Sequence, residues 1–445
     1  MAFNDKGFLC KGIIFVILIG IAIRLSIGFL MTYNYDVYHW ALTISNFEAG
    51  NGLYATAGYY YTPVWGYILG FFSQFFEFFG VSEFGYRFEE LLFTEDLNCF
   101  SPHTAFVTSM EFNMAVTVMM TIFDLITAFL VYWIVREVFK DENKAKICFS
   151  VWFLFSFVII VGAIGGMFDA ISAMLLLLII CLMLKDQMFL AGTVFTVAVM
   201  LKFFPAFLIF LLLAYIVVKY RDEGWKSRIL MAIGGSVLCY VVIMLPQIMD
   251  GTVSDSFSFL TARASSDANM LETAVKLGSI AMYLPVIAAE IAVALLFLKR
   301  KHDDVDRAFI LYSFIGMTIV FLTQGAPQYL MPMVPLLIIV AFCCNERFRI
   351  PMLILMVCSS IYMLSPFVMD FTSLVMYTDI LPFESWKGLY DAFDFQFMGT
   401  NGFNVWTLLG GTLQGISTIV VFLTILLEYR YSLQSLLSKE QKSAE

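Results

Sequence analysis

Long apolar runs, separated by short polar connections, dominate this chain. A helix needs about 20 apolar residues to cross a bilayer, and such runs recur from end to end. The pattern predicts an all-α polytopic membrane protein with about 12 transmembrane helices. We expect residues 1–445 to form a single membrane-embedded domain, because no internal repeat or low-complexity tract divides them. The predicted spans are 12–33, 112–135, 147–163, 169–185, 188–201, 205–218, 229–247, 278–298, 308–323, 327–343, 350–368 and 404–427.

The connections alternate in charge under this count. One set is rich in Lys and Arg, as in 136–146, 219–228 and 299–307, and the other is acidic or neutral. Basic connections stay on the cytoplasmic side of a membrane. The pattern therefore predicts both termini in the cytoplasm. We see no ER retention signal or soluble tail, and we therefore expect the membrane to be a prokaryotic plasma membrane. The acidic loops then face outside, with 34–111 as the first external loop and 369–403 as a late one.

Residues 63–80 fit this alternation only if they do not cross the membrane once. The segment is apolar enough to span, yet a single crossing would invert the charge pattern of every later loop. It carries Gln74, Glu77 and six phenylalanines. We predict an interfacial helix inside the first external loop, with a transmembrane crossing as the alternative.

Composition supports a membrane protein and removes several other classes. The chain is 61% hydrophobic and only 14% charged, whereas soluble domains carry about 25% charged residues. The net charge of −9 argues against nucleic acid as a partner. The eight cysteines include no CxxC and no metal-ligand spacing with the three histidines. We predict neither a disulfide framework nor a metal site from them.

Three charged residues stand at predicted external helix ends. Asp36 follows the first span among tyrosines and a tryptophan, Asp169 opens a span after two glycines, and Lys202 precedes a helix-breaking Pro205. A carboxylate between aromatic walls suits sugar stacking and proton abstraction, and an external lysine at a helix break suits anion binding. Each also has a plain structural explanation: a solvated loop aspartate, a helix cap and a snorkelling lysine.

Two further charges fall near the middle of their spans. Arg24 and Asp124 lie at similar depth, about twelve residues from the ends of their respective helices. A buried ion pair is the least costly arrangement for two such charges. We therefore predict that Arg24 and Asp124 pair structurally, with Glu290 as a competing partner.

Five short motifs then follow one another in a familiar order. They resemble those of the GT-C superfamily of membrane glycosyltransferases, above all glycosyltransferase family 87 and the mannosyltransferases that start the GPI glycan. The resemblance covers about residues 36–335 and departs at Thr62 and Met167, where the family has Pro and Gln. Asp36 follows the first span, as the family's catalytic aspartate does. The other matching elements are GNGLY from Gly50 with YYYTP from Tyr59, GMFD ending at Asp169, KFFP from Lys202 and PQY ending at Tyr329.

The resemblance implies an inverting hexosyl transfer, with mannose-like sugars as the expected cargo. The donor would be a polyprenyl-phosphate sugar taken from the bilayer, and the acceptor a glycan, lipid or protein on the outer face. By this resemblance Asp36 is the catalytic base, while Lys202 and, more weakly, Arg263 bind the phosphate. The residues expected to bind substrate beside them are Asp169, Tyr59, Tyr60, Tyr61, Gln328 and Tyr329.

No cofactor is predicted, because a lysine can neutralise a single leaving phosphate. Asp36 with Asp169 could still hold a divalent cation. Two other classes fit a polytopic chain. One is a secondary transporter, which places polar residues at mid-membrane, and the other is a non-catalytic membrane component of polysaccharide export.

Overall fold

The computed structural model describes residues 10–32, 34–55, 59, 61–78, 89–90, 106–257, 283–322, 327–364, 374, 377–382, 385 and 410–427. Nearly all of these residues are helical. Two-residue strands, Glu89–Glu90 and Phe106–Val107, pair antiparallel. The helices are α1 Lys11–Ile27, α2 Asn34–Glu48, α3 Pro63–Phe78, α4 Met110–Ile134, α5 Glu142–Leu154, α6 Ser156–Ile159, α7 Asp169–Leu184, α8 Met188–Leu201, α9 Ile209–Lys219, α10 Trp225–Asp250, α11 Tyr283–Lys299, α12 Val305–Phe321, α13 Val334–Ile339, α14 Arg349–Met363 and α15 Gly410–Leu427.

Short 3-10 and π turns extend or connect these helices. A π turn, Val135–Phe139, continues α4, and another, Ile160–Ile164, continues α6. The remaining turns are the π turn Val340–Cys344 and the 3-10 turns Gly28–Leu30, Leu53–Ala55, Phe204–Leu208, Asp255–Phe257, Pro327–Leu330 and Glu346–Phe348.

Four segments of the described chain are long and apolar enough to cross a membrane. A fifth is added if Glu142–Leu154 and Ser156–Ile164, bent by 48°, count as one broken span. These helices agree with an all-α membrane protein, but the prediction of about 12 spans is wrong for the described residues. The four single segments are Lys11–Leu30, Met110–Phe139, Trp225–Asp250 and Gly410–Leu427.

Helix length explains the overcount. α7 has 16 residues and α8 has 14, and a rise of 1.5 Å per residue makes them only about 24 and 21 Å long. The hydrocarbon core is about 30 Å thick. An apolar window does not register the breaks that shorten helices, such as Phe155 at the end of α5 and Lys202 at the end of α8, whose backbones are extended.

Burial separates an inner helix from outer ones. In α4 the most apolar window is 61% buried, whereas in α1 and α10 the values are 22% and 11%. The outer face of α10 exposes large apolar side chains such as Leu230 and Val242. An apolar face of this kind suits lipid contact.

The first predicted external loop contains two of the helices, α2 and α3. α3 packs on α2 and keeps Trp65 and Leu69 buried, while Phe71, Phe75 and Phe78 are exposed. It has 16 residues and is not among the four segments that could span. Most of the late loop 369–403 lies outside the described residues.

The predicted pair of mid-span charges is confirmed. Arg24 donates from Nε and Nη2 to Oδ2 of Asp124 at 3.1 and 3.0 Å, and both side chains are fully buried. Its Nη1 donates to the carbonyls of Gly20 and Phe153 at 3.1 and 2.8 Å. The pair thus joins α1, α4 and α5, and Glu290 takes no part in it.

Candidate functional site

The site lies where α2 meets the loop that precedes α7. Gly166 in this loop has φ of +66°, a conformation that glycine adopts without strain. A Cβ at Gly166 would lie 2.9 Å from Val116 and 3.1 Å from Val37. Only glycine therefore lets the loop approach so closely, and the contact holds Asp36, which precedes Val37, beside the start of α7.

Three large aromatic rings pack against one another at this junction. Trp40 of α2 meets Trp65 of α3 edge to face at 5.0 Å, and Trp65 stacks on Phe168 of the loop at 5.0 Å. Trp40 and Trp65 are almost entirely buried, and Phe168 is 2% exposed. Ring pairs of this geometry stabilise a fold by more than their buried area alone provides. The three rings therefore hold α2, α3 and the loop together.

The segment that precedes α3, with Tyr59 and Tyr61, packs against one side of this aromatic cluster. Tyr61 contacts Phe168 edge to face at 5.3 Å. The Tyr59 hydroxyl donates to the carbonyl of Thr62 at 2.8 Å and accepts from the backbone N–H of Gly66 at 2.8 Å. The Thr62 hydroxyl donates to the carbonyl of Met200. This last bond ties the segment to the end of α8.

Lys202 stands at the break between α8 and the Phe204–Leu208 turn. Its backbone is extended, with φ −150° and ψ 127°, and Pro205 starts the turn that follows. The ammonium Nζ lies 2.8 Å from Oδ1 and 3.0 Å from Oδ2 of Asp169. Asp169 is the first residue of α7, where the helix dipole also favours a carboxylate. Its carboxylate therefore holds the lysine in place as well as standing at a helix start.

Three aromatic rings also lie close to the Lys202 ammonium. Nζ lies 4.5 Å from the ring centre of Tyr329, 4.6 Å from that of Phe168 and 5.9 Å from that of Phe204. Such faces attract a cation through the ring quadrupole. The lysine side chain keeps 16% of its surface exposed, against 3% for Asp169, so the lysine is the less enclosed member of the pair.

Asp36 is electrostatically coupled to this pair. Desolvation raises the pKa of the Asp36 carboxyl to about 7, while the Lys202 charge lowers it and the Asp169 charge raises it further. Asp36 as a whole residue is half-buried. A carboxyl that titrates near neutral pH can both accept and return a proton under ordinary conditions.

Two carboxylates with one lysine make a mixed-charge site. Asp36 and Asp169 could together contact a cation, although Lys202 already neutralises one of them. Within the described residues there is no group of three or more His, Cys, Asp or Glu side chains that could hold a metal ion. The arrangement instead combines a titratable carboxyl, an accessible ammonium and aromatic walls.

The predicted site residues divide into three groups. Asp36, Asp169, Lys202, Tyr61 and Tyr329 come together. Tyr59 lies buried behind Tyr61, and Gln328 is half-buried with Oε1 lacking a hydrogen-bond partner in the described part of the chain. Tyr60 and Arg263 fall outside the described residues.

Sequence reasoning missed the aromatic walls that complete the site. Phe168 directly precedes Asp169 in the GMFD motif and Phe204 lies two residues after Lys202 in the KFFP motif, and this proximity was the available signal. Trp65 gave none, because one tryptophan in an aromatic helix is ordinary at a membrane interface.

No protein-family model matches this chain, and no curated protein matches it either.

Proposed function

We propose that this chain is an integral membrane glycosyltransferase that moves a mannose-like hexose from a polyprenyl-phosphate donor to an acceptor on the outer face of the membrane, with inversion. One observation carries the proposal. Asp36, Asp169, Lys202 and Tyr329 come from four distant motifs and meet in one aromatic-walled site. A single carboxyl, helix cap or lysine would need no function, but their convergence is not required by the fold of any one helix.

Asp36 acts as the base in this mechanism. An acceptor hydroxyl attacks the anomeric carbon of the donor sugar while its proton passes to the Asp36 carboxylate. A new C–O bond forms, the bond between the anomeric carbon and the phosphate oxygen breaks, and the electron pair leaves with the lipid phosphate. A pKa of about 7 matches this role, since general base catalysis works best with a group that titrates near the operating pH.

Lys202 stabilises the phosphate as its charge develops. Its ammonium carries three N–H donors, and Asp169 occupies one side of it at 2.8 and 3.0 Å. The exposed side can donate to a phosphate oxygen without breaking that contact. Asp169 acts as the group that holds the lysine in position, while its negative charge also helps to keep the site free of unrelated anions.

The aromatic walls suit a sugar ring. Tyr61, Phe168 and Tyr329 present faces and edges around the charged pair, and apolar sugar faces pack on such rings while hydroxyl groups reach nearby polar atoms. Gln328 offers a side-chain amide beside Tyr329 for one such hydroxyl. Tyr60 and Arg263 remain proposed substrate contacts on the sequence resemblance alone.

The proposed setting is a prokaryotic plasma membrane with both termini in the cytoplasm. The lysine- and arginine-rich connections 136–146, 219–228 and 299–307 favour the cytoplasmic side of a membrane. In this proposal the Lys202 break, the Asp36 turn and the Pro327–Leu330 turn lie on the outer side, where a lipid-linked donor in the outer leaflet can enter sideways.

A secondary transporter is the second candidate, and one observation favours it. Transporters use ionisable groups in mid-membrane. Arg24 and Asp124 no longer support this class, because they satisfy each other. Glu290 still does, since it is buried and has no hydrogen-bond partner within the described part of the chain.

Sugar transfer tests the proposal directly. The purified full chain in detergent is incubated with a panel of polyprenyl-phosphate hexoses and pentoses, with Asp36→Asn measured in parallel. We expect transfer or slow donor hydrolysis by the wild type and a loss of about 10² to 10⁴ in rate in the variant, the usual contribution of a general base. Equal rates in both proteins would remove Asp36 from the mechanism, and absence of both turnover and donor binding would overturn the proposed class.

A further inference from the structure

A second carboxyl, remote from the proposed transfer site, occupies an unusual environment. Glu290 lies in the middle of α11, a 17-residue apolar helix, and is completely buried. Neither of its carboxyl oxygens has a hydrogen-bond partner among the residues that the structure describes. Buried polar groups are nearly always paired, so an unpaired buried carboxyl marks a functional position.

The surroundings of Glu290 are closely packed and apolar. A Cβ at Gly316 of α12 would lie 2.8 Å from Oε2 and 3.3 Å from Oε1 of Glu290, and 2.6 Å from a methyl carbon of Leu208. One turn toward the start of α11, Val286 packs with Phe207 and Val320. Only glycine at 316 leaves room for the carboxyl group, and α11 meets α12 at this point.

The charged groups on the elements that pack against α11 lie near the helix ends, away from Glu290. The elements are α9, α12 and the Phe204–Leu208 turn. The turn has no ionisable side chain. On α9 and α12 the ionisable groups are Tyr215, Lys219, Asp306, Arg307 and Tyr312, and on α11 itself Tyr283 and Lys299.

The nearest of these groups are engaged elsewhere. Lys219 pairs with Asp306 at 2.7 Å, and Arg307 pairs with Asp304 at 3.1 Å. Lys299 is nine residues from Glu290, or about 13 Å along the helix. The Tyr312 ring packs on Phe297 and His302. No counter-charge among the described residues reaches Glu290.

We propose that Glu290 is a proton-binding site inside the helix bundle, held as a neutral carboxylic acid while α11 packs on α12 at Gly316. An isolated carboxylate in apolar surroundings costs far more than its neutral form. The carboxyl group lies so close to Gly316 that even a Cβ there would clash with it, so we expect an ionised, hydrated carboxylate to require the two helices to move apart. Proton binding and helix contact are therefore linked at this site, independently of any sugar transfer.

Infrared spectroscopy of the full chain at neutral pH tests this proposal. A neutral carboxylic acid has a carbonyl stretch that a carboxylate lacks, and the stretch shifts when the proton is replaced by deuterium. Asp36, whose pKa is about 7, also contributes to this band, so wild type and Glu290→Gln are compared as a difference spectrum. We expect an acid band in the difference, because glutamine keeps the shape of Glu290 without the acid. Asp124→Asn is the matched control: Asp124 is equally buried but ion-paired, so this change leaves the band in place.

A measurement on the unmutated protein covers the case in which Glu290→Gln does not fold. Incorporating glutamate labelled with carbon-13 at the side-chain carboxyl shifts glutamate bands and leaves those of Asp36, Asp124 and Asp169 unchanged. Exposed glutamates are ionised at neutral pH, so we expect one shifted acid band. Absence of any shifted acid band would mean that Glu290 is ionised and would overturn the proposal.

Discussion

Two acid–base pairs in this molecule look alike in sequence but differ in what surrounds them. Arg24–Asp124 and Lys202–Asp169 each join a basic and an acidic side chain at about 3 Å. In the first pair both side chains are 0% exposed, and in the second the lysine keeps 16%. The guanidinium of Arg24 donates hydrogen bonds to Asp124 and to two backbone carbonyls.

The Lys202 ammonium, in contrast, lies close to the rings of Phe168 and Tyr329 in addition to Asp169. A planar guanidinium with four of its five N–H donors engaged crosslinks helices, whereas an ammonium with spare donors can bind a ligand. The comparison teaches that enclosure, rather than the presence of a charge pair, separates a structural contact from a candidate site. Asp36 strengthens this difference, because among the described residues a third titratable group is coupled to the Lys202–Asp169 pair and none to the Arg24–Asp124 pair.

The largest expected effect comes from breaking the enclosed pair. Arg24→Met alone leaves the Asp124 carboxylate buried without a partner, which costs about 3–5 kcal/mol. We expect little folded protein, measured as the monodisperse fraction in detergent gel filtration. The double variant Arg24→Met with Asp124→Leu removes both charges and should recover most of the folded fraction. A double variant as poor as the single one would contradict a purely structural role.

The open pair should respond in the opposite way. Lys202→Met retains folding, because the remaining Asp169 carboxylate stands at a helix start, where the dipole favours it. Sugar transfer falls by about 10² to 10³, the usual loss when one donor to a developing negative charge is removed. Rates of transfer and the melting temperature are measured on the same preparation. If Lys202→Met lowered the melting temperature as much as Arg24→Met does, both pairs would have the same structural role, which would contradict the contrast drawn between them.

The smallest expected effect is a shift in the pH profile. The base form of Asp36 is the ionised one, so kcat/KM should rise with pH and level off above its pKa of about 7. Asp169→Asn removes a charge that raises this pKa and moves the midpoint down. Lys202→Met removes a charge that lowers it and moves the midpoint up. If neither substitution moved the midpoint of the pH profile, Asp36 would not be electrostatically coupled to the Lys202–Asp169 pair.

Several features of the fold could be predicted from the sequence because they depend on local composition. Apolar runs identified the helical segments, and equal depth in two helices identified the Arg24–Asp124 pair before any coordinates. The span count failed because hydropathy does not record where a helix breaks. Lys202 and Phe155 are extended residues inside apolar stretches, and the helices beside them are too short to cross a bilayer alone.

The site was predictable in its charges but less so in its walls. Asp36, Asp169 and Lys202 stood out because each is a charge beside an apolar run. Phe168 and Trp65 could not stand out in a chain with 47 phenylalanines. Their role depends on the Gly166 turn, which brings three distant segments together and whose contacts with Val37 and Val116 have no local signature.

The most direct test of the contrast between the two pairs is phosphate binding. Farnesyl phosphate, a short polyprenyl phosphate, is titrated into the purified full chain and into two variants, Lys202→Met and Lys219→Met. Lys219 pairs with Asp306 at 2.7 Å, far from the site, and serves as the matched control. We predict saturable binding in the wild type and in Lys219→Met, with a loss of tenfold or more in Lys202→Met. Equal affinity in all three proteins would mean that the open pair does not bind the donor phosphate, and would contradict this account.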